Sequence, residues 1–139
     1  MNIYFACSIT GGRELESTYQ EIVAALLADG HEIPTSHLAQ SDVTENEREL
    51  APQYVYERDV NWIKNCDALI AEVSVPSHGV GYEIAFALSI GKAVLCIHRQ
   101  ERKVSKMITG NSDPALVVRN YSNVGEAVLQ AQAFLQGII

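Results

Sequence analysis

The stretch Ala68-Leu69-Ile70-Ala71-Glu72-Val73-Ser74-Val75-Pro76-Ser77-His78-Gly79-Val80-Gly81-Tyr82-Glu83-Ile84-Ala85-Phe86-Ala87-Leu88-Ser89-Ile90-Gly91 decides the fold. Its apolar start, Ala68 to Val73, is short enough for a strand and reads as one buried on both faces. Ser74 to Gly81 carries a proline and two glycines and reads as a loop. Tyr82 to Ile90 regains a helical period through Ile84, Phe86, Ala87 and Leu88, and Gly91 closes it. Ala93 to Ile97 is apolar again. Strand, loop, helix and strand make a parallel crossover unit.

The same alternation runs in both directions from this unit. Upstream, Ile3 to Cys7 reads as a buried strand and Glu16 to Leu27 as an amphipathic helix ended by Gly30. His31 to His37 reads as an edge strand, because Pro34 cannot donate to a ladder. Leu38 to Pro52 is polar and aperiodic, a long surface loop of the kind that often serves a binding site. Gln53 to Asn65 is helical. Downstream, Arg99 to Pro114 is charged, with a short helix expected near Ser105. Ala115 to Tyr121 reads as a fifth strand and Val124 to Leu135 as the final helix.

The expected fold is α/β: one doubly wound, flavodoxin- or Rossmann-like domain over residues 1–139, with a five-stranded parallel sheet in the order 2-1-3-4-5. In such sheets ligands bind beyond the carboxyl ends of the strands, where the strand order reverses. That places a site in the loops after the first and third strands before any motif is considered.

Composition narrows the function. The 139 residues carry a net charge of −7 with only ten Lys and Arg, so a nucleic-acid polymer is not an expected ligand. A small phosphorylated molecule is compatible, since backbone amides and helix N-termini hold a phosphate without net positive charge. No apolar run approaches the roughly 18 residues that span a bilayer, and no basic segment precedes the first apolar run. A cytoplasmic protein without a membrane partner is expected. The three cysteines, Cys7, Cys66 and Cys96, have neither disulfide nor zinc spacing. Cys66 and Cys96 read as core thiols. No metal or cofactor site is expected.

Both loops selected by topology are unusual. The first runs Cys7-Ser8-Ile9-Thr10-Gly11-Gly12-Arg13 and could cradle a phosphate, although it lacks a dinucleotide fingerprint and the P-loop lysine. In the second, Ser77, Gly79 and Gly81 allow close backbone approach to a ligand. Glu83 follows in what the pattern makes the first helical turn, where the helix dipole favours its ionised form. A carboxylate there is a nucleophile for an anomeric carbon or simply a dipole-complementing residue, and spacing leaves both readings open. Asp59 shares a helix face with Val55, Trp62 and Ile63. An acid on an apolar stripe is either paired, with Arg58 or Arg13, or functional, its burial then suiting a proton donor. Tyr4 sits inside the first strand, near its carboxyl end, as core packing or as a hydroxyl that orients Glu83. His37 and His78 fit no triad or metal pattern.

Together, Tyr4-Phe5, Ser8-Ile9, Gly11-Gly12-Arg13, Glu57, Asp59, Trp62, Ala71-Glu72-Val73, Pro76-Ser77 and Gly79-Val80-Gly81-Tyr82-Glu83 resemble the 2′-deoxynucleoside 5′-phosphate N-hydrolases of the nucleoside 2-deoxyribosyltransferase superfamily. The resemblance runs from Ile3 to about Gly110. It implies that Glu83 is a nucleophile forming a glycosyl-enzyme intermediate at the deoxyribose C1′, that Tyr4 positions it, and that Asp59 contacts the sugar and assists departure of the base. It also implies a substrate cradle of Cys7, Ser8, Ile9, Thr10, Gly11, Gly12, Arg13, Ser77 and Gly79, with His37 on the base side. Ser105, in Val104-Ser105-Lys106-Met107, would reach the phosphate bound by a neighbouring subunit of a homodimer.

Cys7 and Thr10 stand where those hydrolases carry glycine and arginine, which removes one phosphate contact. The apolar tail Gln136-Gly137-Ile138-Ile139 leans toward hydrolysis rather than base transfer. Three functions are therefore expected in order: hydrolysis of deoxynucleoside monophosphates, transfer of deoxyribose between bases, and nucleotide sensing without turnover.

Overall fold

A computed structural model describes residues 1–9, 14–42 and 47–138. Strands β1 (Ile3–Ala6), β2 (Ala68–Glu72), β3 (Ala93–Arg99) and β4 (Leu116–Tyr121) pair in that order, all parallel. Register pairs Tyr4 with Leu69 and Ala6 with Ala71, so β1 and β2 end level with one another. The helices are α1 (Glu16–Ala28), α2 (Pro52–Asn65), α3 (His78–Ser89), the single turn α4 (Lys106–Thr109) and α5 (Val124–Gln136).

Both faces of the sheet are covered, as the continuous apolar strands require. Ile3, Phe5, Ile70, Leu95 and Ile97 pack against Tyr19, Ile22 and Leu26 of α1 and Ala127 and Ala131 of α5. Tyr4, Ala6, Leu69, Ala71 and Cys96 pack on the other face against Ile63 of α2 and Ile84 and Ala87 of α3. Alternate strand residues thus serve alternate layers. All three cysteines are buried, and burial pushes the Cys96 thiol up to about 12.

The expected sheet had five strands, and the described residues form four. The segment from His31 does run beside β1, on the side away from β2, but it makes only one bridge, between Asn2 and Glu32. Pro34 brings no N–H to the ladder. The next strand amide, Phe5 N, then donates not to a carbonyl but to Thr35 Oγ1, at 2.9 Å. The chain turns immediately into a 3₁₀ turn over Ser36–Ala39. His37 therefore lies in that turn and not at the end of a strand.

The start of α3 also differs from expectation. Its first residue is His78, and Ser77 caps it by accepting from Val80 N. Gly79 and Gly81 are helical, although their type suggested loop. Glu83 therefore sits in the second turn, one turn beyond the reach of the free N-terminal amides. Gly91, at a φ of 76°, ends the unit where a Cβ would be strained.

Candidate active site

The ends of β1 and β2 and the faces of α2 and α3 enclose a cavity of about 440 Å³. It is lined by Cys7 and Ile9 after β1, by Ser77, Gly79, Val80 and Glu83, and by Val55, Tyr56 and Asp59 of α2. Leu38, Glu47 and Leu50 of the segment before α2, with Pro52 at the start of that helix, complete its wall. This is the crevice that strand topology selected.

Tyr4 and Glu83 meet at its floor. The Tyr4 hydroxyl donates to Glu83 Oε1 at 2.7 Å, and among the described residues Oε2 accepts no hydrogen bond. Tyr4 is fully buried. Burial, reinforced by the Glu83 and Asp59 charges, holds its proton far above the ordinary range, so it can only donate. Burial pushes Glu83 up to about 7; the Tyr4 bond opposes this, the Asp59 charge adds to it and Arg58 draws it down. The expectation of a dipole-ionised first-turn carboxylate is thus corrected: desolvation governs this group.

Asp59 is paired with Arg58, one of its two readings, and it also faces the cavity. Its Oδ1 accepts from Arg58 Nε at 2.8 Å. Burial raises its pKa above the ordinary carboxylate range; Arg58 and His37 pull it down and Glu47 pushes it up. Arg58 also forks onto Glu47, Nη1 to Oε1 at 2.9 Å and Nη2 to Oε2 at 3.1 Å.

Cys7, Ile9, Ser77 and Gly79 line the cavity as expected. Ser8 is wholly buried behind it. Thr10, Gly11, Gly12 and Arg13 lie outside the described residues. His37 stands beside the cavity, its ring edge-on to Trp62 at 5.8 Å and its Nε2 3.3 Å from Glu47 Oε1. Ser105 and Met107 are not in this cavity. They line a second one of about 560 Å³ across α3, which shares Ser77 and Val80 with the first. Lys106 is exposed beside them and lines neither. The pairing of Asp59 with Arg58 was one of the expected readings; Glu47, Tyr56 and the link from Arg58 to Glu47 were not anticipated. Glu47 and Arg58 are eleven residues apart across an aperiodic segment, so no periodicity pairs them.

A buried carboxylate bonded to a tyrosine hydroxyl, a second acid and a small-residue helix start share one cavity of an α/β enzyme, a set of groups suited to a compact, polar substrate. A model of the nucleoside 2-deoxyribosyltransferase family matches residues 3–128, and the chain belongs to that family. A protein of Methanococcoides burtonii, provisionally named 2′-deoxynucleoside 5′-phosphate N-hydrolase 1, is 40% identical over 119 residues, 86% of this chain and 98% of its own. The 5-hydroxymethyl-dUMP N-hydrolase of Esox lucius is 39% identical over 127 residues, 87% of each chain. Among solved structures, a CMP N-glycosidase of Clostridium botulinum has the same fold, with a TM-score of 0.75 at 18% identity over 96% of this chain and 99% of that one. No helix among the described residues is long and apolar enough to cross a membrane.

Proposed function

We propose that the protein hydrolyses the N-glycosidic bond of 2′-deoxynucleoside 5′-monophosphates, releasing the free base and 2-deoxyribose 5-phosphate. The Tyr4–Glu83 hydrogen bond inside the cavity carries this reading. Tyr4 holds Oε1 and leaves Oε2 to attack C1′. As the C1′–N bond breaks, its electron pair leaves with the base, and positive charge on the sugar is met by the Glu83 anion. The carboxylate then bonds C1′ as an ester, which water hydrolyses, restoring Glu83. Asp59, across the cavity, contacts the sugar and assists departure of the base. Ser77 and Gly79, at the start of α3, suit the 5′-phosphate side.

The proposed active unit is a homodimer. Met107 is 84% exposed, an apolar side chain beside the apolar cavity formed by Val73, Val75, Ile84 and Leu88. A second copy seated there would bring Ser105 towards the partner's phosphate.

Incubation with the four deoxynucleoside monophosphates, followed by chromatography of released base, tests the reading. Free base and deoxyribose 5-phosphate are expected, with little product from unphosphorylated nucleosides. No release from any of the four overturns it. A new nucleotide formed faster than free sugar phosphate, when an acceptor base is added, shows transfer instead.

A further inference from the structure

Arg58 is absent from the cavity wall, yet it touches two carboxylates that line it, Glu47 and Asp59. The three side chains are only 12%, 14% and 17% exposed, too dry for an ordinary surface ion pair. The guanidinium lies over Trp62, its Cζ 4.8 Å from the ring centre. Its outer edge forks onto Glu47 and its Nε edge meets Asp59, so one rigid plane ties the segment before α2 to an acid on α2. Among the described residues Asp59 Oδ2 has no hydrogen-bond partner.

We propose that Arg58 is a positioning residue for the reaction: anchored by Glu47, it grips Asp59 Oδ1 and leaves Oδ2 to the substrate. The inference rests on the reading that Asp59 acts on substrate. Arg58 is then not a phosphate ligand, although it is a cation close to the site, because its fork is already committed to carboxylates.

The arrangement has a signature that simple structural support lacks. The groups facing Asp59 are Arg58 on its own helix, Glu47 and His37 from the preceding segment, Glu83 of α3 and Tyr4 of β1. Removing Arg58 deletes the cation and lets Asp59 hold its proton more tightly. Removing the Glu47 charge deletes a competing anion and lets Asp59 release its proton more easily. The two changes break the same ion pair but move Asp59 in opposite directions.

The test is a carbon-13 carboxyl titration of Asp59, assigned by its loss in Asp59→Asn, alongside kcat and KM for a deoxynucleoside monophosphate. Arg58→Met is expected to raise the Asp59 titration by about one pH unit and to lower kcat roughly 10- to 100-fold, with KM within about threefold of wild type. Glu47→Gln is expected to lower the titration. Arg58→Lys is expected to restore the titration but only part of kcat, because a lysine cannot fork. Unmoved titrations, shifts in the same direction, or an unchanged kcat in folded Arg58→Met overturn the inference. If Arg58→Met does not fold, Glu47→Gln decides it: a downward shift supports, no shift overturns. The underlying reading fails separately, through an Asp59→Asn enzyme that turns over at the wild-type rate.

Discussion

The Tyr4 hydroxyl and Glu83 Oε1 lie 2.7 Å apart, although the two residues are 79 apart in sequence, one within a buried strand and the other on the helix that follows the neighbouring strand. The bond stabilises the Glu83 anion in a site whose burial, even with that bond made, keeps the proton on it up to about pH 7. Tyr4→Phe removes the donor and leaves the burial. The Glu83 pKa should then rise, and the acid limb of kcat/KM should move upward with it. Because hydrogen bonds to charged groups contribute about 1.5–3 kcal/mol, kcat should fall about 10- to 100-fold. The deficit should be larger at pH 6 than at pH 8.5, as a pH–rate profile will show.

Glu83→Gln separates activity from stability. Hydrolysis should fall at least about 10³-fold, since the amide cannot form the ester. Stability should change with pH. The unfolded chain ionises Glu83 near the ordinary carboxylate value, whereas the native chain does so only near 7. The stability linked to this group is therefore present below the ordinary value and lost as pH rises through about 7. At pH 8 the substitution removes a poorly solvated charge and should stabilise the fold by about 2 kcal/mol, or about 5–8 °C in Tm. At pH 4 the two melting curves should nearly coincide.

The contrast between these residues and the rest of the site shows what sequence pattern conveys. Glu83, Cys7 and Ser77 were legible as cavity residues because topology directs attention to strand ends, and strand ends follow from apolar runs such as Ala68 to Val73; Asp59 was legible because an acid stands on the apolar stripe of a helix. The helix start was not legible: Gly79 and Gly81 read as loop, and the decisive feature is one Ser77 side chain capping Val80 N. The missing fifth strand was hidden in the same way. Thr35 Oγ1 takes the bond that a strand carbonyl would have accepted, a substitution that no periodicity records. The Glu47–Arg58–Asp59 chain depends on where an aperiodic segment returns to the fold, which only tertiary packing decides.

Glu72 gives a prediction about the frame of the site. It is wholly buried at the end of β2, on the face opposite Glu83. It accepts from the Ser74 hydroxyl, from Ser74 N at 3.3 Å and from the Tyr121 hydroxyl at 2.9 Å. Ser74 Oγ in turn accepts from Arg99 N at 2.8 Å, so the loop leading to Ser77 is fastened to β3 and β4. Glu72→Ala strands several buried polar groups and should cost about 2–4 kcal/mol in urea unfolding. Tyr121→Phe removes one donor and should cost about 1 kcal/mol. Burial raises the Glu72 pKa, so the native-state contribution of this group should weaken as pH rises from its ordinary value.

Sharing of the site between subunits makes a prediction that no monomeric arrangement reproduces. Ser105 caps α4, accepting from Met107 N at 3.2 Å, and lines the cavity across α3 from Glu83. If it serves the partner's phosphate, Ser105→Ala should raise KM about 10-fold, the loss expected from one hydrogen bond to a charged group. Mixing that variant with the inactive Glu83→Gln chain under exchange conditions should then restore activity. In a mixed dimer the Ser105→Ala chain supplies an intact Glu83, and its partner supplies an intact Ser105. Steady-state rates of mixtures should exceed the sum of the separate proteins at subsaturating substrate. Rates that merely average, with exchange verified by mass spectrometry, would show that each chain works alone. Met107→Asp should abolish the effect by burying a charge at the contact, and sedimentation should then report a monomer.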